Sequence, residues 1–215
     1  MKPTLLLACL SLLTAGNALA QDLQGPLAGH VFAGVMTMAN DSSDVGGGDY
    51  EITIFGVDAQ KPANQGDVRY GLEAGGLFSL DSDVRRFRAS AGSGGGSASV
   101  SVGIDSAMID VFFGGYLAYQ PAKWLRFFAG AGPLIIYAWW DTTPEEASPE
   151  PYPSVTESGL GAGVYARAGV DVYITHKVGL HAGARFTETT LSFKDTAGDV
   201  DIQGWQYYAG MAFHF

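Results

Sequence analysis

The sequence predicts an all-β chain, closed as an antiparallel transmembrane β-barrel of about eight strands. Three observations carry that prediction: sustained period-2 alternation, too few charges for a water-facing surface, and no apolar run long enough for a spanning helix. The alternation is clearest over residues 160–174, where Leu160, Ala162, Val164, Ala166, Ala168, Val170, Val172 and Ile174 are all apolar. Between them stand Gly161, Gly163, Tyr165, Arg167, Gly169, Asp171 and Tyr173. Successive side chains of a strand point to opposite faces, so one face is greasy and the other carries charge and glycine. On a helix the same apolar residues would encircle the cylinder.

The composition agrees. The chain is 47% hydrophobic and 12% aromatic but only 16% charged, with 30 glycines, so much of its surface faces something other than water. In lipid every backbone amide must be paired internally, which leaves helices or a closed barrel. After the first 20 residues the longest uncharged apolar run, residues 127–140, is broken by Gly130, Gly132 and Pro133. It falls short of the roughly 18 residues that mark a spanning helix.

Residues 1–20 read as a signal peptide. Lys2 supplies the positive start, residues 5–13 the apolar core, and Asn17-Ala18-Leu19-Ala20 a small-x-small site with cleavage after Ala20. Leu6-Leu7-Ala8-Cys9 offers a competing lipoprotein reading, but the apolar core continues past Cys9. Residues 21–215 then form one barrel domain without cysteine, which excludes a disulfide scaffold, a cysteine nucleophile and a cysteine metal site. The net charge of −10, one unit more negative once Lys2 is removed, argues against nucleic acid as a partner.

The strands follow in order. Residues 31–38 and 50–59 come first, then 68–80, where Tyr70, Leu72, Ala74 and Phe78 alternate with Arg69, Gly71, Glu73 and Gly75. Residues 107–120 and 124–140 flank the turn Pro121-Ala122-Lys123. After 160–174 comes 178–186, with His181 and Arg185 on its polar face. The last segment sets Trp205, Tyr207, Ala209, Met211, Phe213 and Phe215 against Gln206, Tyr208, Gly210, Ala212 and His214. Short connections alternate with longer polar ones at 141–158 and 193–203, the pattern of short periplasmic turns and longer external loops. Residues 80–105, with Ser93-Gly94-Gly95-Gly96-Ser97, read as a long external loop. The rival is that residues 84–91 form the membrane strand and residues 50–59 belong to the first loop.

These features resemble the small outer-membrane barrel family, the OmpA-, OmpX- and OmpW-like porin-family domains of Gram-negative bacteria. The resemblance covers the whole chain. It rests on the signal peptide, on Gly71-Leu72-Glu73-Ala74-Gly75-Gly76, on Ala129-Gly130-Ala131-Gly132, and above all on the ending Tyr207, Ala209, Met211, Phe213, Phe215. It implies an outer-membrane location among lipid and lipopolysaccharide. It also implies that Tyr207, Met211, Phe213 and Phe215 form the signal read by the barrel-assembly machinery.

With the greasy face outward, the lumen would hold Arg69, Glu73, Asp110, Arg126, Arg167, Asp171 and Arg185, nearly balanced in charge. Tyr116, Phe128, Tyr165, Tyr173 and Tyr208 would fill the rest, with Gly159, Gly161, Gly163, Gly179, Gly183 and Gly210 making room beside them. An interior of about eight strands is just wide enough for side chains to fill, so these charges are expected to pair and plug it. The alternative is a narrow passive channel for ions or small solutes lined by the same groups.

A lipid A-modifying hydrolase is the third reading. It would need a nucleophile beside a base. His181 is the best candidate base, but no histidine sits in the His-x-Ser pattern of the lipid A deacylases, and Ser101 and Ser106 have no obvious partner. No catalytic residue, cofactor or metal is therefore assigned. Acidic groups crowd the outer connections (Asp41, Asp44, Asp49; Glu145, Glu146, Glu150; Asp195, Asp199, Asp201) in no metal-loop spacing. They could meet a surface partner or bridge through divalent ions to lipopolysaccharide. Trp124 by one turn, and Trp139, Trp140 and Trp205 toward the loops, suit two aromatic girdles. A soluble lipocalin-like barrel would instead need polar outward faces.

Overall fold

A computed structural model describes residues 27–38, 50–90, 97–144, 155–193 and 199–215. The signal segment with Ala20 lies outside the described residues, as do Asp41, Asp44, Asp49, Glu145, Glu146, Glu150 and Asp195. Eight strands run in chain order: β1 Ala28–Met38, β2 Tyr50–Pro62, β3 Val68–Ser90, β4 Ser97–Ala122, β5 Leu125–Pro144, β6 Val155–Tyr173, β7 Val178–Phe193 and β8 Asp199–His214. Each pairs antiparallel with its neighbour in sequence, and β1 pairs with β8 to close the barrel. Closure leaves no sheet edge within the lipid. Leu27 and Phe215 exchange backbone hydrogen bonds of 3.1 and 2.9 Å at the short-turn end, where the start of β1 meets the end of β8.

Two expectations need correction. Residues 80–105 are not a loop: β3 continues to Ser90 and β4 begins at Ser97, with an unbroken register from Val68↔Tyr119 to Ser90↔Ser97. The β3–β4 ladder continues past the point where β2 stops pairing at Ile54↔Ser79, and β5 still pairs with β4 as far as Val102↔Pro144. Residues 50–59 are a membrane strand as first read, within β2, and residues 84–90 prolong β3 instead of replacing it. The turn after β4 also differs by a step. β4 reaches Ala122 through a register irregularity between Tyr119 and Ala122, which leaves Lys123 and Trp124 as the turn.

The alternation read from the sequence is the inside–outside division of the barrel. Val31, Phe55, Val57, Leu72, Leu117, Ile135, Val164 and Leu180 are exposed on the outer wall. A soluble barrel would present polar groups there, so the lipocalin-like alternative fails. Trp124, Tyr70 and Tyr119 are exposed at the short-turn end, and Trp205, Tyr207 and Tyr137 nearer the loops, as two aromatic girdles require. Met211 and Phe215 share the outer face with Tyr207, and Phe213 is half-buried on it. Near the short turns the lumen is charged, and toward the loops Met36, Ile54, Leu77, Met108, Leu134, Ile136 and Leu191 pack as an apolar core, with Asp110, Arg185, Thr187, Thr189 and Gln206 buried among them.

Candidate functional site

The charged part of the lumen is a closed ring of hydrogen bonds. Arg167 on β6 donates from Nη1 to Asp58 Oδ2 on β2 at 2.6 Å and from Nη2 to Glu73 Oε2 on β3 at 2.8 Å. Gln60 donates to Glu73 Oε2 at 2.8 Å and accepts from Arg126 Nη2. Arg126 on β5 donates from Nη1 to Asp171 Oδ2 at 2.6 Å. His30 on β1 closes the ring, with Nδ1 at 2.6 Å from Asp58 Oδ1 and Nε2 at 3.3 Å from Asp171 Oδ2. The ring thus joins five strands across the interior. Tyr165 donates its hydroxyl to Glu73 Oε1 at 2.8 Å, and His181 Nδ1 lies 2.7 Å from Asp171 Oδ1. One step toward the loops, Arg185 pairs with Asp110 at 2.9 Å and donates to Gln206 Oε1 at 3.3 Å.

Charge balance follows from the donors. Four carboxylates (Asp58, Glu73, Asp110, Asp171) face three guanidinium groups (Arg126, Arg167, Arg185). Both ring nitrogens of His30 face carboxylate oxygens, which only accept, so both carry protons. The imidazolium supplies the fourth positive charge. Without that balance each unpaired ion would cost several kcal/mol, on the order of the penalty for desolvating a lone charge.

Aromatic faces seal the ions. Arg167 lies 5.1 Å over Phe112 and 5.3 Å over Phe128, and Arg185 4.6 Å over Phe112. The rings of His30 and His181 stack at 4.1 Å, and Phe128 and Tyr208 stack on His181 at 5.5 Å. A β-carbon at Gly130 would run into the Glu73 carboxylate, which would have to leave its hydrogen bonds to Arg167 and Tyr165 to make room.

Of the seven lumen residues read from the sequence, Glu73, Asp110, Arg126, Arg167, Asp171 and Arg185 are buried and paired. Arg69 is not among them. It is half-buried at the short-turn rim, with Nε donating to the Gly66 carbonyl at 3.0 Å, since its strand has only begun to climb there. Asp58, Gln60 and His30 take its place. They were legible in principle: Ile54, Gly56, Asp58 and Gln60 alternate with Phe55, Val57 and Ala59, which puts the acid and the amide inward.

Two chemical readings can be weighed on this geometry. His30, Asp58 and His181 each place a ligand-type atom within 4.8 Å of the others. The two imidazoles stack only 20° from parallel, and both Nδ1 atoms already face carboxylates. A cation between the rings would sit above their planes instead of along their lone pairs, so the donor set does not fit a metal. As a general base, His181 has its Nε2 buried with no hydrogen-bond partner. Among the described residues no hydroxyl is therefore held there for activation.

No family model matches the chain, and no curated protein does. Solved structures do. The outer membrane protease OmpT from Escherichia coli superposes with a TM-score of 0.54 at 10% identity, over 91% of this chain and 100% of that one. The fold is that of the bacterial outer-membrane β-barrels. Among other barrels of this kind, Ail, the attachment invasion locus protein of Yersinia pestis, has a TM-score of 0.49 at 11% identity, over 88% of this chain and 100% of that one. In an outer-membrane barrel the short turns face the periplasm and the longer connections face outward. The ring of Asp58, Arg167 and Glu73 therefore lies in the periplasmic half of the membrane span, and the apolar core in the outer half.

Proposed function

We propose that this outer-membrane barrel is non-enzymatic and does not conduct, and that its role is structural or is carried by surface contacts at the loop end. The observation behind this reading is the closed ring Asp58–Arg167–Glu73–Gln60–Arg126–Asp171–His30, which spans the interior and is buried throughout. Opening a path through it would separate paired charges in a site of low dielectric, at a cost of several kcal/mol for each uncompensated ion.

The partners that suit this reading are the lipid and lipopolysaccharide around the wall, with a surface partner at the acid-rich loops. The barrel-assembly machinery would read Tyr207, Met211, Phe213 and Phe215, which lie on the lipid-facing side of the closing strand. Liposome swelling tests the closed lumen. Vesicles carrying the refolded chain should swell in small sugars and amino acids no faster than empty vesicles. Faster swelling that declines with solute size would replace this reading with the narrow channel.

A further inference from the structure

The periplasmic end of the lumen is a polar mouth whose groups the ring does not use. Arg69 on β3, Gln120 on β4, Tyr173 on β6 and His214 on β8 continue the inward-facing positions that hold Glu73, Tyr116, Asp171 and Ala212. Hydrogen bonds to the short turns fix their height. Gln120 N donates to the Asp67 carbonyl at 2.7 Å, Tyr173 N to the Trp124 carbonyl at 2.8 Å and His214 N to the Lys177 carbonyl at 2.8 Å. Arg69 Nε donates to the Gly66 carbonyl at 3.0 Å. The side chains converge on one another. Arg69 is within electrostatic reach of Tyr116, Tyr173 and His214, and the rings of Tyr173 and His214 lie 5.7 Å apart.

Three of these groups have bonding capacity left over. Arg69 forms no ion pair among the described residues. Tyr173 is only 7% exposed, and its buried hydroxyl has no hydrogen-bond partner. Gln120 also has a buried Oε1 without one, while its Nε2 reaches the Lys123 carbonyl at 3.4 Å. Buried polar atoms are paired in all but a few cases, so two orphans beside an unpaired guanidinium call for a partner from outside. The acids behind the mouth are taken, Asp171 by Arg126 and Glu73 by Arg167. Asp67, in the adjoining turn, is exposed.

We propose that this mouth binds the C-terminal carboxylate of a peptide, with Arg69 and Tyr173 donating to the carboxylate and Gln120 Oε1 accepting the adjoining peptide N–H. The site lies at the opposite end from the loops and depends only on the short turns facing the periplasm. A guanidinium is a planar fork that matches a carboxylate. One unpaired cation suits a monoanion, whereas a doubly charged phosphate would call for a second. An acceptor beside the donors suits the amide that precedes a peptide carboxylate and offers nothing to a bare anion. An interior of about eight strands is nearly filled by side chains, so the mouth admits a slender chain end instead of a folded domain.

The test is NMR titration of the isotope-labelled, refolded chain in neutral detergent at constant ionic strength, following the amide signals of Arg69, Gln120, Tyr173 and His214. The probes are N-acetyl-alanyl-alanine, its C-terminal amide, acetate and inorganic phosphate. The peptide acid should bind saturably and more tightly than the other three. Arg69→Gln and Tyr173→Phe should each weaken it by about tenfold, as expected for a lost hydrogen bond to a charged group. Lys123→Gln, with the same loss of charge on the exposed rim, should lose far less. Gln120→Leu should abolish the preference for the peptide acid over acetate. Each variant is checked for folding by heat-dependent gel mobility.

Equal binding of acid and amide, tighter binding of phosphate than of the peptide, or wild-type affinity in Arg69→Gln overturns the proposal. So does a peptide preference that survives Gln120→Leu. An equal loss in Lys123→Gln would reveal only a diffuse attraction of anions to a basic rim and overturns it too. Exchanging the last alanine for its D form identifies the source. Tighter binding of the L form assigns the site to protein tails, and tighter binding of the D form to cell-wall peptides.

Discussion

Arg167 Nη1 stands 2.6 Å from Asp58 Oδ2, and this contact ties β6 to β2 across the interior of the barrel. Its other nitrogens hold Glu73 on β3, so one guanidinium braces three strands. Removing it leaves two buried carboxylates sharing too few cations. Arg167→Ala should destabilise the folded barrel by about 3–5 kcal/mol, the usual cost of breaking a buried pair from one side. Lysine should rescue only part of this, because an ammonium cannot fork between two carboxylates. Reversible urea unfolding in detergent checks both.

The two histidines should behave differently although they stack on each other. His30 bridges Asp58 and Asp171 and supplies a positive charge, whereas the one carboxylate that His181 bonds is Asp171. His30→Phe should cost about 3 kcal/mol or more, in the range for leaving buried charges uncompensated. His181→Phe keeps the aromatic stack and leaves Asp171 its contacts with Arg126 and His30, so it should cost about 1 kcal/mol, a typical hydrogen bond. Equal losses in the same unfolding assay would contradict the ring.

Gly130 and Gly115 offer a steric comparison. A β-carbon at Gly130 would collide with Glu73, whereas at Gly115, on the outer wall, the nearest atom would be 3.8 Å away. Gly130→Ala should lower the yield of heat-modifiable folded barrel and its stability by about 1–3 kcal/mol, as overpacking does. Gly115→Ala should fold like the wild type.

The lipid belt can be mapped by charge. Val164 is exposed on the middle of the outer wall, and Ile174, 72% exposed, lies at the short-turn rim. Val164→Arg should cost about 2–4 kcal/mol in a bilayer and Ile174→Arg about 0–1 kcal/mol, following the depth dependence of charge on a barrel wall. Folding titrations in vesicles give both numbers. Similar costs at the two sites would argue that this wall does not face lipid.

Residues whose neighbours alternate strictly disclosed their side of the wall in the sequence. Arg167, Asp171, Arg185 and Glu73 were legible because each is flanked by apolar residues at i±1. Asp58 and His30 follow the same rule, yet in strands judged mainly by their apolar half they passed unnoticed. Partners could not be read at all. That Arg167 meets Asp58, 109 positions away, depends on barrel closure and stagger, which no local pattern encodes. The hairpin beyond the membrane was misread for a different reason. The sequence there lacks the greasy alternation that reveals a strand in lipid, so the glycines at 92 and 94–96 dominated the reading.

Single-channel recording in a planar bilayer tests the closed lumen most directly, with folded wild type and Asp58→Ala/Glu73→Ala/Arg167→Ala compared side by side. The wild type should be electrically silent, and the triple variant, with the heart of the ring removed, should show discrete openings. Stable, reproducible steps from the wild type itself would contradict the account and make Arg126, Arg167 and Asp171 the lining of a pore.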